Sequence, residues 1–338
     1  MSAQASATLA DWLQNERPGE VLQEMRRLTG GNSNETYLLE TSAGRRIVRR
    51  PPQATIDASA HSMAREHSVL VALAGTDVPA PRPLSFCEDA SVLGAPFILM
   101  EFVEGMALTD SLPAAYSDDV AGAGFAIVDA LATLHLAPWR EIGLADFGKP
   151  QGFLDRQVGR WHSQYDRYKV RDLPDFYEVA GWLGSHRPPE SEPAILHGDF
   201  HADNTLVSLS EPRVTAILDW EMATIGDPLL DLGLLLAFWG TERPDPPAMP
   251  RVQGFSRGAG APDRVELAAR YAKRTGRSVE HLDYYLALAL WKLAAIVEGA
   301  YAHFRSGAVD DEYSRMLGDD VPRLLAEAAA FTRGSGLN

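Results

Sequence analysis

Residues 195–219 read ILHGDFHADNTLVSLSEPRVTAILD, and three of them have the types and spacing to do chemistry. Asn204 stands just before the apolar stretch 205–207, and Asp219 just after a second one, 214–218. A loop with Ser210, Glu211 and Pro212 joins the two stretches, which predicts a short antiparallel hairpin. In such a hairpin the flanking positions meet at the open end, so the Asn204 amide and the Asp219 carboxylate face each other. An amide oxygen beside a carboxylate suits a hard cation such as Mg²⁺. Asp199 lies five residues before Asn204, in a loop that runs past the same end. A third carboxylate that the metal does not need can take a proton from a hydroxyl nucleophile. Base, amide ligand and carboxylate ligand in that order are the parts for phosphoryl transfer from ATP.

A rival reading uses the same loop. His197, Asp199, His201 and Asp203 alternate, and on a strand they would project four ligands from one face, as in a zinc or di-metal hydrolase. That arrangement leaves Asn204, the hairpin and Asp219 unused, and phosphoryl transfer is the preferred reading.

Elements must hold these residues in place. After a short helix-like N-terminus, residues 28–50 read as strand, turn and strand, with Ser42, Ala43 and Gly44 at the turn. A helix over 59–74 and two strands at 84–88 and 96–102 follow. Beyond Gly105 the periods become helical: about 117–135, capped by Ser117, then 153–168, 174–183, 263–273, 281–304 and 313–331. Residues 240–262 hold five prolines and four glycines and read as a long surface loop or lid.

Composition bounds the rest. The 338 residues carry 46% hydrophobic side chains and a net charge of −15, which argues against general affinity for nucleic acid or anionic membrane. Cys87 is the single cysteine, so no intrachain disulfide forms and a reducing, cytoplasmic location is expected. The first twenty residues show neither a basic start nor an apolar run, so no secretory leader is expected. The most apolar helix, 284–304, is interrupted by Lys292 and Glu298 and reads as too polar for a membrane span. Oligomeric state is not legible.

HGDFHADN resembles the catalytic loop of the aminoglycoside phosphotransferase and choline kinase superfamily, the small-molecule cousins of protein kinases. LDWEMATIGDPLLDLG and FILMEFVEG are similar to that superfamily's metal-binding segment and interlobe hinge. VRRPP at 48–52 and DFGKPQGFLDRQVGRW at 146–161 resemble the branch found fused to acyl-CoA dehydrogenases.

The resemblance implies an α+β, two-lobed, protein-kinase-like fold, with a small β-rich nucleotide-binding N-lobe over 1–105 and a mainly helical C-lobe over 106–338. It implies ATP and Mg²⁺ as cofactors, Asp199 as the base, and Asn204 and Asp219 as metal ligands. Thr29 to Asn34, including Gly30, Gly31, Asn32, Ser33 and Asn34, would fold over the phosphates through backbone N–H groups. Arg49 takes the place of the usual phosphate-binding lysine and Glu66 would pair with it. Arg50 is the alternative, since a slip of one residue exchanges strand faces. Glu101 to Val103 would offer backbone groups to adenine. His197 and Asp231 would brace the loop, and Glu221 would order the metal site or merely follow it. Asp146-Phe147-Gly148 precedes Asp199 by 53 residues and so cannot be the magnesium segment; a turn or cap is expected there.

The substituted lysine leaves a nucleotide-binding pseudokinase as a further alternative. For the acceptor, the superfamily and the acidic charge point to a cation such as an aminoglycoside. Arg156, Arg160 and Arg167, with Lys149 upstream, form instead a basic stripe that would suit the phosphates of a hydroxyacyl-CoA.

Overall fold

The computed structural model describes residues 3–28, 34–52, 63–240 and 243–334. In chain order it contains α1 (Ala3–Glu16), β1 (Leu22–Arg27), β2 (Glu35–Thr41), β3 (Gly44–Arg50), α2 (Met63–Leu73), β4 (Pro83–Cys87), α3 (Ala90–Leu93), β5 (Phe97–Glu101) and β6 (Met106–Ala107). There follow α4 (Val120–Leu136), α5 (Phe153–Tyr168), α6 (Pro174–Ser185), β7 (Ala194–Leu196), β8 (Thr205–Val207), β9 (Val214–Ile217) and β10 (Thr224–Gly226). The chain ends in α7 (Leu229–Ala237), α8 (Arg264–Thr275), α9 (Leu282–Arg305) and α10 (Glu312–Thr332). This is the two-lobed α+β fold of the kinase-like class.

The N-lobe sheet is antiparallel, in the order β1-β2-β3-β5-β4. Alternation along its strands sorts side chains between two faces. Tyr37, Leu39, Val48, Phe97 and Leu99 pack under α1 and α3 with Leu9, Leu13 and Leu93. Ile47, Ile98 and Met100 take the opposite face and join α2 and the C-lobe core. Strand β1 was missed in the sequence because Leu22–Arg27 reads LQEMRR and is largely exposed, an edge strand with little apolar pattern to see.

In the C-lobe β6, β8 and β9 form one small sheet, and β7 pairs with β10 in another. The predicted hairpin is there, with Thr205 opposite Ile217. Helix α4 is capped by Asp119, whose carboxylate accepts from Gly122 N–H at 2.8 Å, rather than by Ser117. Helix α9 is long and apolar enough to cross a membrane by length and composition, contrary to the sequence reading. Burial decides its role, since 67% of its most apolar window lies inside the protein.

Residues 243–262 are a packed strap, not an open lid. Arg243 and Glu327 form a buried ion pair at 3.1 Å, and Glu327 also accepts from Ala248 N–H at 2.7 Å. Asp320 accepts from Met249 N–H at 2.8 Å. Prolines and glycines marked this segment as irregular, and acceptors on α10, distant in sequence, supply the partners that bury it.

Candidate active site

Strand β7 is wholly buried and ends at Leu196, where the loop 197–204 begins. Its first turn is tied down from α7. The Asp231 carboxylate accepts from the backbone N–H groups of His197 at 2.6 Å and Gly198 at 2.9 Å. His197 is fully buried and donates from Nε2 to Leu218 O at 2.7 Å, which joins the loop to the end of β9. Gly198 sits at φ 85°, and a Cβ there would collide with the Met222 carbonyl. Only glycine fits that turn.

At the open end of the hairpin its two flanks meet. Leu218 N–H donates to Asn204 O at 2.8 Å, which fixes Asn204 against the residue preceding Asp219. Asn204 Nδ2 donates to the Asp199 carbonyl at 2.9 Å and its carboxylate at 3.1 Å, and the amide oxygen has no hydrogen-bond partner among the described residues. Asp219 adopts left-handed φ 66° and ψ 64°, a strain of about 1–2 kcal/mol for a residue with a side chain.

From the N-lobe, Arg49 lies on the same face of β3 as Ile47. Its Nε meets Glu66 of α2 at 2.9 Å, and its guanidinium also pairs with Asp219. Arg50, on the Val48 face, turns away to Glu35 at 2.6 Å and to the Leu93 carbonyl. Asn34, the one described residue of the predicted phosphate loop, donates from Nδ2 to Glu221 at 2.7 Å. Gly30, Gly31, Asn32 and Ser33 lie outside the described residues. Glu101 spends its N–H on Arg82 O at 2.9 Å and its carboxylate on the Arg82 side chain. That leaves Val103, whose N–H has no hydrogen-bond partner among the described residues, as the hinge donor available to a base.

Electrostatics follow from this crowding. Burial raises Asp219, and Glu221 and Asp199 raise it further against the pull of Arg49. Glu66 is pushed up to about 7, chiefly by burial, although Arg49 opposes. Burial disfavours charge on Arg49, yet Glu66, Asp219 and Glu221 hold its pKa above the ordinary value. Asp199 shows the reverse. Burial works to raise it, but His201, Lys292 and His197 bring it well below the carboxylate range. His201 lies 3.5 Å from Asp199 and 3.1 Å from Asp203, and these carboxylates outweigh burial to lift it to about 10. The two carboxylates favour its charged form.

The donor types suit a hard divalent cation: the Asn204 amide oxygen has no hydrogen-bond partner among the described residues, and the Asp219 carboxylate is crowded by like charges. The alternating four-ligand site does not assemble. Among the described residues no group of three or more His, Cys, Asp or Glu side chains is placed to hold a metal ion. His197 points at Leu218, and Asp203 accepts from Gln253 N–H at 2.9 Å. Asp146 lies in an exposed turn, as expected.

Sequence reasoning missed two residues that touch the loop. Gln253, buried in the strap, accepts from Ala202 N–H at 2.8 Å and donates to Leu235 O at 2.9 Å. Lys292 donates from Nζ to the Gly198 carbonyl. Its signal was present: a lone lysine inside an apolar helix needs a partner.

The model of the phosphotransferase enzyme family matches residues 24–268. The chain belongs to that family. A phosphotransferase-family structure from Ralstonia eutropha, assigned as an aminoglycoside phosphotransferase, superposes at TM-score 0.80 with 29% identity, covering 97% of this chain and 98% of that one. A thermostable variant of aminoglycoside phosphotransferase APH(4)-Ia, in complex with ADP and hygromycin B, shares the fold at TM-score 0.61 and 14% identity, covering 98% and 99%. Acyl-CoA dehydrogenase family member 11 of Gallus gallus is 34% identical over 314 residues, 91% of this chain and 40% of that protein. This family member therefore spans about 40% of the length of that curated relative.

Proposed function

We propose that this phosphotransferase moves the terminal phosphoryl group of ATP, with Mg²⁺, to the hydroxyl of a small molecule, and that the acceptor is a hydroxyacyl-CoA. One observation carries the reading. The Leu218–Asn204 bond closes the hairpin so that Asn204 and Asp219 flank one point, with Asp199 bonded to Asn204 and Arg49 arriving from the other lobe.

The residues divide the work. Asn204 and Asp219 would hold the cation, which when bound neutralises charge on the phosphates. Arg49, fixed by Glu66, is a permanent cation for the nucleotide phosphates. Asp199 keeps 35% of its side chain exposed, open to an incoming hydroxyl. Its depressed pKa makes it a weak base, so its main service is to orient the hydroxyl. As the new O–P bond forms and the bond to the leaving ADP oxygen breaks, the hydroxyl proton passes to Asp199. Base, both ligands and a phosphate cation are all present, which favours an active enzyme over a pseudokinase.

Two observations support the acceptor. The relative from Gallus gallus is named an acyl-CoA dehydrogenase family member. Arg160 on α5 lies over Trp161 at 4.7 Å and has no carboxylate partner among the described residues. The rest of the stripe contributes less. Arg156 is spent on the carbonyls of Lys149 and Gln151, while Asp155 and Asp166 pair with Arg187 and Lys169. The test is product formation from Mg–ATP with a hydroxyacyl-CoA and with kanamycin at matched concentration. Phosphorylated hydroxyacyl-CoA in excess is expected. Faster kanamycin turnover would replace the acceptor and leave the phosphotransfer standing.

A further inference from the structure

The Asp146-Phe147-Gly148 segment has no part in the metal site, yet the N-lobe lands on it. Arg65, in the first turn of α2, donates from one nitrogen to the Phe147 carbonyl at 2.7 Å and to the Ala223 carbonyl at 3.0 Å. Its guanidinium carbon lies 3.8 Å from the centre of the Phe147 ring. A flat group that stacks on a ring and reaches two carbonyls is within the means of arginine and not of lysine. Both acceptors belong to one platform. Ala223 stands just before β10, whose Thr224 pairs with Leu196 at the end of β7, where the catalytic loop begins. Gly148 is pressed against the same strand, so that a Cβ there would come within 2.7 Å of Ile225 N. That close approach of backbones fixes the Phe147 carbonyl beside β10.

The next residue of α2 is Glu66, about 100° farther round a helix of 3.6 residues per turn. Glu66 therefore meets Arg49 at 2.9 Å while Arg65 faces the C-lobe. The bonds close a ring through both lobes. It runs from Arg65 to Ala223, back along the turn that Ala223 N–H closes on Trp220 O, to Asp219, across to Arg49 and Glu66. The apolar side of α2, with Val69, Leu70 and Leu73, sets the depth of the helix in the core. Apolar packing is non-directional and does not by itself stop the helix sliding along its axis. A slide of one residue moves a side chain by about 1.5 Å, enough to break a carboxylate–guanidinium contact. Only directional bonds at the first turn prevent that slide.

We propose that Arg65 is a positioning residue of the nucleotide site: by clamping α2 onto the Phe147 and Ala223 carbonyls it sets where Glu66 holds Arg49 for the nucleotide phosphates. This rests on the reading that Arg49 receives those phosphates.

The experiment is a double-mutant cycle read by calorimetric titration with Mg–ADP, which needs no acceptor. Thermal midpoints verify that each variant is folded. Arg65→Ala should weaken Mg–ADP binding about 10-fold, the low end of what a hydrogen bond from a charged group is worth. Arg65→Lys should recover only part of that loss, because an ammonium reaches a carbonyl without stacking on Phe147. The Glu66→Ala background decides the matter, since α2 then has no grip on Arg49 to position. There the added Arg65→Ala should weaken binding by less than about 2-fold, the non-additivity expected of residues that act as a unit. An equal loss in both backgrounds would mean that Arg65 only stabilises the fold, and the proposal would be wrong. Wild-type affinity in folded Arg65→Ala would overturn it too. Failure of the phosphotransfer reading looks different, because the wild type itself would then bind no Mg–ADP, and this proposal would fall with it.

Discussion

Asp199 is held ionised by His201, so its carboxylate is always available and its neutral mimic should fail. Asp199→Asn should lower kcat by about two to four orders of magnitude while nucleotide affinity stays nearly level. Steady-state kinetics with nucleotide titration checks this, and near-normal turnover in a folded variant removes Asp199 from the role. Arg49 and Arg50 make a second comparison. Arg49→Ala should raise KM for ATP or lower kcat, because its guanidinium faces Glu66 and Asp219. Arg50→Ala should act mainly on stability, by about 1–3 kcal/mol, because Glu35 loses its buried partner but keeps Arg27 and Tyr37. Chemical denaturation beside kinetics separates the two, and the reverse pattern would place the wrong arginine in the site. At this scale the sequence was most legible. The spacing of Asp199, Asn204 and Asp219 follows from a hairpin, and hairpins are local. Lys292 and Gln253 reach the same loop from 93 and 54 residues beyond Asp199, and although the lone lysine stands out in its apolar helix, no local pattern tells which loop either residue meets.

Helices and strands pass their order to the loop through a few buried bonds. Asp231 on α7 holds two backbone N–H groups of the loop and also faces His135 of α4, whose Nε2 lies 3.4 Å away. Burial depresses the His135 pKa, and Asp231 only partly offsets that effect. Above the ordinary histidine value both folded and unfolded chains are neutral there, so His135 adds no pH dependence. As pH falls through about 6.5 the unfolded chain binds a proton that the folded chain does not, and stability drops by at most about 1.4 kcal/mol per pH unit. Urea titrations between pH 8 and 5 should show this slope reduced in His135→Gln; an unchanged slope would mean that other groups carry it. Gly198→Ala tests the turn. The left-handed φ alone costs about 1–2 kcal/mol, and the Met222 carbonyl blocks relaxation, so kcat should fall more than nucleotide affinity. Equal loss of both would indicate general unfolding. Elements with strong apolar period were legible to within a few residues, α5 and the β8–β9 hairpin among them. Exposed β1 was not, for want of an apolar pattern, nor were the short β6, β7 and β10, which lack the turn signal that joins β8 to β9 and are defined by pairing alone.

The whole molecule is two lobes by shape, yet its apolar core is not divided between them. One buried cluster runs from Met63, Leu70 and Ile98 of the N-lobe through Ile127, Leu196 and Trp220 to Leu290 and Phe331. Polar ties cross at the same place: Ile217 N–H donates to Pro79 O at 2.7 Å, and Arg65 donates to the carbonyls of Phe147 at 2.7 Å and Ala223 at 3.0 Å. A boundary at 105/106 would therefore cut through shared packing. An isolated 1–105 fragment would keep the face under α1 and α3 but expose Val69, Leu70, Ile98 and Met100, each buried in the full chain. At about 25 cal/mol per Å² of lost apolar burial, several such side chains amount to a large fraction of a domain's 5–15 kcal/mol. The full chain should thus unfold in one calorimetric transition, with equal calorimetric and van't Hoff enthalpies, and Leu70→Ala should lower its midpoint as a whole. Two separated transitions, with Leu70→Ala moving only one of them, would show that the lobes fold independently and that their junction is a hinge between two cores.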